Sequence, residues 1–256
     1  MEKLITPGRI IYAIGIAALG ILCILSKDFI IGRPPAVKWA AAIPGKLAWA
    51  YVSGALAIIS GVAVVLSIRA RMASLVVGML ILIFSFLLRH LYEMTDWAGA
   101  YKALALGGGS FIVAASFPGN ESSHLDNTSI NDKLIFTGCL FLSLFFIICG
   151  FAHFKFADFI IKDFMPPYIP FPAFWTYFCG ICLLAAGIGL LIPQTRKWAA
   201  LLSGFMIAGW FILLHTVRFV GDTNNAGDRL GLCESFTFAG ILFVLAGMSG
   251  KKQLIP

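Results

Sequence analysis

The second half of this chain restates its first half. Pro44, Trp49, Tyr51, Gly54, Gly61, Ala73 and Gly78 recur as Pro170, Trp175, Tyr177, Gly180, Gly187, Ala199 and Gly204, each 126 positions later. Upstream the offset is 130, where Gly20 and Asp28-Phe29-Ile30-Ile31 return as Gly150 and Asp158-Phe159-Ile160-Ile161, so the second copy lacks four residues in between. Repeats of this length are far longer than solenoid units of about 20 to 50 residues. The chain therefore reads as two copies of one module, residues 1–118 and 132–256, joined by a polar linker at 119–131. Whatever fold the first copy takes, the second must share, and a site special to the duplicated chain belongs between them.

The module is a membrane module. Apolar residues make up 60% of the chain and charged ones 12%, against about 25% charged in soluble domains, and the mean hydropathy is +0.93. With about 20 apolar residues needed per crossing, the sequence predicts an all-α polytopic protein with eight transmembrane helices. The expected spans are roughly 9–26, 46–66, 73–92 and 100–117, then 132–152, 171–192, 199–219 and 231–249. Four crossings per copy give both copies the same orientation, hence two parallel four-helix repeats about an axis along the membrane normal. Lys3, Arg9, Arg69, Arg71, Lys133, Arg196, Lys197, Lys251 and Lys252 fall on the face that holds both termini, which the positive-inside rule assigns to the cytoplasm. Net charge +7 then reports contact with anionic lipid. Nucleic acid is not an expected partner, because no basic stripe with interleaved aromatics exists. The first apolar run is followed by Ser26-Lys27-Asp28 in place of the small residues of a cleavage site, so it reads as a retained helix.

Gly150, Ala152-His153-Phe154, Pro166-Pro167-Tyr168-Ile169-Pro170, Cys179-Gly180, the run Gly187 to Pro193 and Thr195-Arg196-Lys197 together resemble the DoxX family of four-helix bacterial and archaeal membrane proteins. The likeness covers about 100 residues of the second half and reaches the first through the repeat, so the chain resembles a tandem-duplicated member. It implies a place in the bacterial inner (plasma) membrane and a redox-associated role: one branch of the family is similar to the membrane subunit of a thiosulfate:quinone oxidoreductase. A quinone is thus the implied cofactor, and a redox partner or a larger membrane complex the implied company. Two departures matter. Leu183 stands where many relatives carry an acid, and Cys23 stands in the first copy where the second has His153.

The candidate ligand-binding residues are ionisable groups near the ends of apolar runs. Arg89, His90 and Glu93 close the third helix of the first copy, as His215, Arg218 and Asp222 close that of the second. Aligning the fourth helices on Gly107-Gly108 and Ala239-Gly240 places Lys102 opposite Glu234, and opposite charges at equivalent depth suggest a pair. Charges within a span face a partner or a water-filled cavity, because each costs about 2.5 to 3.5 kcal/mol on insertion scales. With His153, the set becomes His153, His215, Arg218, Glu234, Lys102, Arg89 and His90, all toward one membrane face. It suits an anionic or carbonyl-bearing headgroup and proton transfer. The bland reading makes these residues interfacial charges that cap helix ends.

Six cysteines lie in apolar stretches, where a thiol behaves as a small hydrophobe. Cys179 and Cys182 have the spacing of a redox dithiol but lie inside a helix, away from the exposed N-terminus that activates such thiols. No metal cluster stands out. Three readings remain open: a quinone-linked redox protein, including the membrane subunit of an oxidoreductase; a small-solute or lipid transporter; and a non-catalytic assembly subunit. The glycines at 54, 61, 180 and 187, with those of the fourth helices, read as faces that let helices approach in lipid, and through which the two copies dock.

Overall fold

The computed structural model describes residues 2–29, 44–91, 97–119 and 127–249, and every regular element among them is helical. Helix α1 (Ile5–Ser26) ends where Lys27 turns left-handed and its N–H returns to the carbonyls of Cys23 and Ile24, the usual way of satisfying a last-turn carbonyl. Then come α2 (Lys46–Val65) and α3 (Ala70–Leu80), which runs on as a π-helical segment, Ile81–Leu91. Helix α4 is Trp97–Ala115 and α5 is Asn127–Lys155. A strap follows, made of the short α6 (Ala157–Phe159), a π-helical turn (Ile160–Phe164) and a proline-rich stretch. Helix α7 (Pro172–Leu191) and α8 (Pro193–Trp210) both open on proline, whose missing N–H costs nothing in a first turn. A π-helical segment (Phe211–Thr216) extends α8 into α9 (Val217–Gly221). Last is α10 (Ala226–Met248), whose N-terminal Asn225 accepts the N–H groups of Gly227 and Asp228, a side-chain cap.

Among the described residues, seven helices are long and apolar enough to cross a membrane. The expected spans fall on observed helices, with ends displaced by up to six residues; α5 and α8 begin earlier because their first turns are polar or proline-led. The eighth, α4, has an apolar stretch of only Gly99–Ala115, about 25 Å at 1.5 Å per residue against a hydrocarbon thickness of about 30 Å. Its surroundings explain the difference. From Ala100 to Ala115 the side chains of Ala103, Ala105, Leu106, Ser110, Ile112, Val113 and Ala114 are all fully buried, so this helix meets protein more than lipid.

Neighbours in sequence pack in order from α1 to α5, then α5 on α7, α7 on α8, α8 on α10, and α10 back on α1. Helices α4 and α10 also touch each other. In the most apolar stretch of α10, 78% of residues are buried, against 22–39% in the other six spans. So α4 and α10 form the centre, while α2, α7 and α8 carry the outward apolar surface, with Ile59, Val62, Ile181, Ile188, Leu202, Phe205 and Ile212 all exposed. In water such a surface would aggregate; in lipid it is solvated.

The close approaches come in matched pairs. A Cβ on Gly54 would lie 2.8 Å from the Gly20 carbonyl, and one on Gly150 would lie 2.9 Å from the Gly180 carbonyl. Gly61 sits on the Ala13 carbonyl as Gly187 sits on that of Ser143. Gly8 lies against Gly240, and Gly138 against Gly108. This corrects part of the expected docking faces. The glycines at 54, 61, 180 and 187 pack within one half, against its own first helix. Those expected in the fourth helices, Gly108, Gly109 and Gly240, do meet the other half, because α4 lies on α5 and α10 on α1. At the end holding the start of α1, Arg9 Nε donates to Ser116 Oγ at 2.9 Å and the guanidinium lies 3.7 Å over the Phe117 ring. Arg71 reaches Asn131 at 2.7 Å at the same end.

A charged cluster between the central helices

Lys102 on α4 donates from Nζ to Oε2 of Glu234 on α10 at 2.7 Å. The carboxylate side chain is 3% exposed and the lysine 23%, so the lysine stem reaches in from a wetter edge while the acid lies among packed helices. An isolated charge there would be costly; paired and hydrogen-bonded, it is tolerated. The pair expected from the aligned fourth helices is therefore present as a contact.

His215 joins the cluster from the π-helical extension of α8. A Cβ on Gly231 would lie 2.8 Å from the imidazole Nδ1, so the ring rests on α10 where a glycine leaves room for it. Gly231 and Glu234 are three apart and share a helix face. The ring meets Phe164 of the strap edge-on at 6.2 Å, and Lys102, Asp228 and Arg218 are near enough to act on it electrostatically.

Arg218 on α9 grips Asp228 in the first turn of α10, Nε to Oδ1 at 2.7 Å and Nη2 to Oδ2 at 3.3 Å. This two-pronged geometry is what a guanidinium offers and an ammonium does not. Its Nη1 also donates to the Asp163 and Phe164 carbonyls at 3.3 and 3.0 Å, and its Cζ stands 4.4 Å over the Phe164 ring. The strap is thus pinned to the corner between α9 and α10. Tyr168 pins its far end by donating to the Leu213 carbonyl, which lies in a π-helical segment whose bonding differs from the α-helical ladder.

Asp228 was not legible as the partner. The sequence offers Asp222, which instead accepts the Asn224 N–H within the turn at 3.0 Å. An acid in a first helical turn reads as an ordinary dipole contact; only its burial, at 6% exposed, marks it out. The other candidates are placed differently. His153 donates from Nδ1 at 2.8 Å to the Cys149 carbonyl of its own helix, and its Cβ packs on Gly180. Arg89 and His90 belong to the π-helical continuation of α3, but their side chains, like Glu93 as a whole, lie outside the described residues. Cys179 and Cys182 are thiols, as are the other four cysteines. Cys179 Sγ accepts from Trp210 Nε1 at 3.0 Å, a packing role between α7 and α8. Among the described residues no group of histidine, cysteine and acid side chains could hold a metal ion.

The structure thus brings together Lys102, Glu234, His215 and Arg218, adds Asp228, and leaves His153 and the two cysteines in the packing of α5, α7 and α8. A family model described as a domain of unknown function (DUF8561) matches residues 142–224. That stretch runs from within α5 through the strap to the turn after α9; it contains His215 and Arg218 and stops short of Asp228 and Glu234. Neither the curated proteins nor the solved structures give a match to this chain.

Proposed function

We propose that this chain is a DoxX-like, redox-associated membrane protein that binds a quinone or a similar lipid-soluble, carbonyl-bearing ligand at the end of the bundle opposite its termini. In this reading it is built as two parallel four-helix repeats with eight crossings, sits in the bacterial inner membrane with both termini cytoplasmic, and serves as the membrane subunit of a quinone-linked oxidoreductase. The observation that carries the reading is the cluster of Lys102, Glu234, His215, Arg218 and Asp228 inside an otherwise apolar bundle. Ionisable groups at such depth are costly and mark ligand or proton sites.

The residues suit the ligand. The Lys102 ammonium and the His215 imidazole are donors for a ring carbonyl, and Glu234 is a proton acceptor beside them. Lys102 is the member with room to swing off the pair, being the more exposed. Bound here, a quinone would supply two-electron, two-proton chemistry. The protein's part is to hold the headgroup, to keep water out through the strap, and to relay a proton between the Glu234 carboxylate and the His215 ring. Mass spectrometry of organic extracts, with an optical spectrum of the same purified sample, tests the reading. A stoichiometric quinone that disappears from Glu234→Gln and His215→Ala supports it; phospholipid alone in the unaltered protein sinks it.

A second reading, a proton-coupled small-solute or lipid transporter, draws on one observation: the ion pair ties a helix of one copy to its counterpart in the other, as a switch between repeats requires. Proton-coupled flux in liposomes that is lost in Glu234→Gln would favour it over the redox reading.

A further inference from the structure

The segment that brings His215 and Arg218 to the charged cluster has two unlike faces. Residues 211–220, the π-helical extension of α8 with α9, turn Ile212, Leu213, Val217 and Val220 outward, all of them exposed. The other side carries His215 onto Gly231 and Arg218 onto Asp228, three and six residues before Glu234 on α10. An apolar surface suited to acyl chains thus faces out, and the polar contacts face in.

The two ends of this arm differ from the rest of the bundle. Gly8, Gly54, Gly187 and Gly240 are pressed against neighbours that a Cβ would strike. Gly209 and Gly221, which flank the arm, have nothing within 4 Å of that position, and neither has the positive φ of a left-handed cap. Neither packing nor turn geometry calls for glycine at these places, and glycine weakens a helix. What it supplies is freedom to bend, and hinges lie at such ends of elements. Trp210 is tied to α7 through Cys179 Sγ at 3.0 Å, and π-helical bonding starts at the next residue, a register change of the kind found at kinks and functional sites. At the far end the chain turns extended at Asp222.

The strap is fastened to this arm. Arg218 holds the Asp163 and Phe164 carbonyls, the Phe164 ring lies against both His215 and Arg218, and Tyr168 donates to the Leu213 carbonyl. The arm is held to α10 by the Arg218–Asp228 fork, by His215 on Gly231 and by Phe211 against Phe236 at 4.7 Å.

We infer that residues 211–220 and the strap form a gate, which swings as one body about Gly209 and Gly221 and opens the Lys102–Glu234 pair sideways to the lipid, with the Arg218–Asp228 fork as its latch. The exposed Phe159, Tyr168 and Phe171 keep the strap at the membrane interface as it moves. The gate admits the lipid-soluble ligand proposed above, and it rests on that reading only for the identity of what passes.

Dicyclohexylcarbodiimide, an apolar reagent for buried carboxyls, is the probe, and a water-soluble cationic carbodiimide is the control. Both are applied to the whole chain in lipid nanodiscs, and mass spectrometry reads the modification of Glu234 as an acylurea or as an amide to Lys102. The apolar reagent modifies Glu234, and the cationic one does so at least about tenfold more slowly, since a charge within the membrane is costly. Gly209→Ala and Gly221→Ala each slow the modification about fivefold, the helix-propensity difference between the two residues expressed as a ratio, without lowering the melting temperature. Arg218→Lys, which loosens the latch, speeds it severalfold. Hydrogen exchange over residues 211–220 and 160–169 follows the same order, while 236–246 stays protected. No modification of Glu234 by the apolar reagent, equal rates for the two reagents, rates that neither glycine variant slows, or exchange at 236–246 rising in step with modification would each overturn the gate. A quinone missing from the purified protein sinks the redox reading and leaves these rates as they are.

Discussion

Lys102 and Glu234 are counterparts in the repeat, 132 positions apart, and they are also each other's ion-pair partners at 2.7 Å. One turn of the same logic recurs deeper in the bundle, where Gly109 on α4 receives the side chain of Ile241, again 132 positions on. Both contacts lie where α4 and α10 touch, so the two helices meet there at matching positions of the sequence repeat, with a lysine set against a glutamate.

That pair stabilises only while both members are present. Lys102→Met is expected to cost about 3 kcal/mol, the lower end of what breaking a buried pair costs, since the lysine side retains some exposure. Lys102→Met combined with Glu234→Met should recover most of the loss. Thermal unfolding of the three variants in one detergent measures the coupling, and additive effects would mean the two charges do not depend on each other.

Gly240 and Gly209 make a matched test of packing. A Cβ at Gly240 would meet backbone, 2.7 Å from the Gly8 carbonyl, with nothing flexible to give way, while one at Gly209 meets nothing within 4 Å. Gly240→Ala should prevent stable assembly of α10 on α1. Gly209→Ala should be neutral or stabilise by up to about 1 kcal/mol, through helix propensity. Size-exclusion profiles and melting temperatures separate the two.

Reversing the asymmetry of the copies is a third test. Leu183→Ala with Trp210→Phe gives the second copy the residues found at Ala57 and Phe84, and removes the bond to Cys179. The double variant should lose stability by several kcal/mol, as buried Leu→Ala changes alone cost about 2 to 5. The thermal unfolding midpoint is the readout, and an unchanged midpoint would mean that neither side chain fills space that matters.

Arg218 holds the strap, so Arg218→Lys should loosen it by trading a fork for a point charge. Hydrogen exchange over residues 160–171 should quicken while the middle of α10 stays protected. Tyr168→Phe should quicken only the Pro166 to Phe171 end. Unchanged exchange in both variants would mean the proline-rich stretch holds itself.

The packing order implies that the halves need each other. With α4 lying on α5 and α10 on α1, fragments 1–118 and 132–256 expressed alone should be unstable, and co-expressed they should co-purify. Independent stability of either fragment would contradict the observed interfaces.

Much of this protein can be read before any coordinate is known. The offsets of 126, 130 and 132 name the pairs Gly20 and Gly150, Gly54 and Gly180, Lys102 and Glu234, because duplicated segments keep their backbone approaches. Apolar runs of about 20 residues mark helices that cross a membrane, since the bilayer leaves a spanning backbone few other ways to satisfy its hydrogen bonds. The partners of those helices are another matter. A segment such as α7 is apolar on every side, and lipid is as apolar as a protein core, so its composition carries little record of which face meets Gly150 and which meets acyl chains. Only the folded chain decided that α4 and α10 lie at the centre, that the fourth helix of each copy packs on the first helix of the other, that Arg218 takes Asp228 in place of Asp222, and that His153 bonds within its own helix. Those choices depend on shape and register across residues far apart in sequence, where hydrophobic patterning is silent and close packing decides.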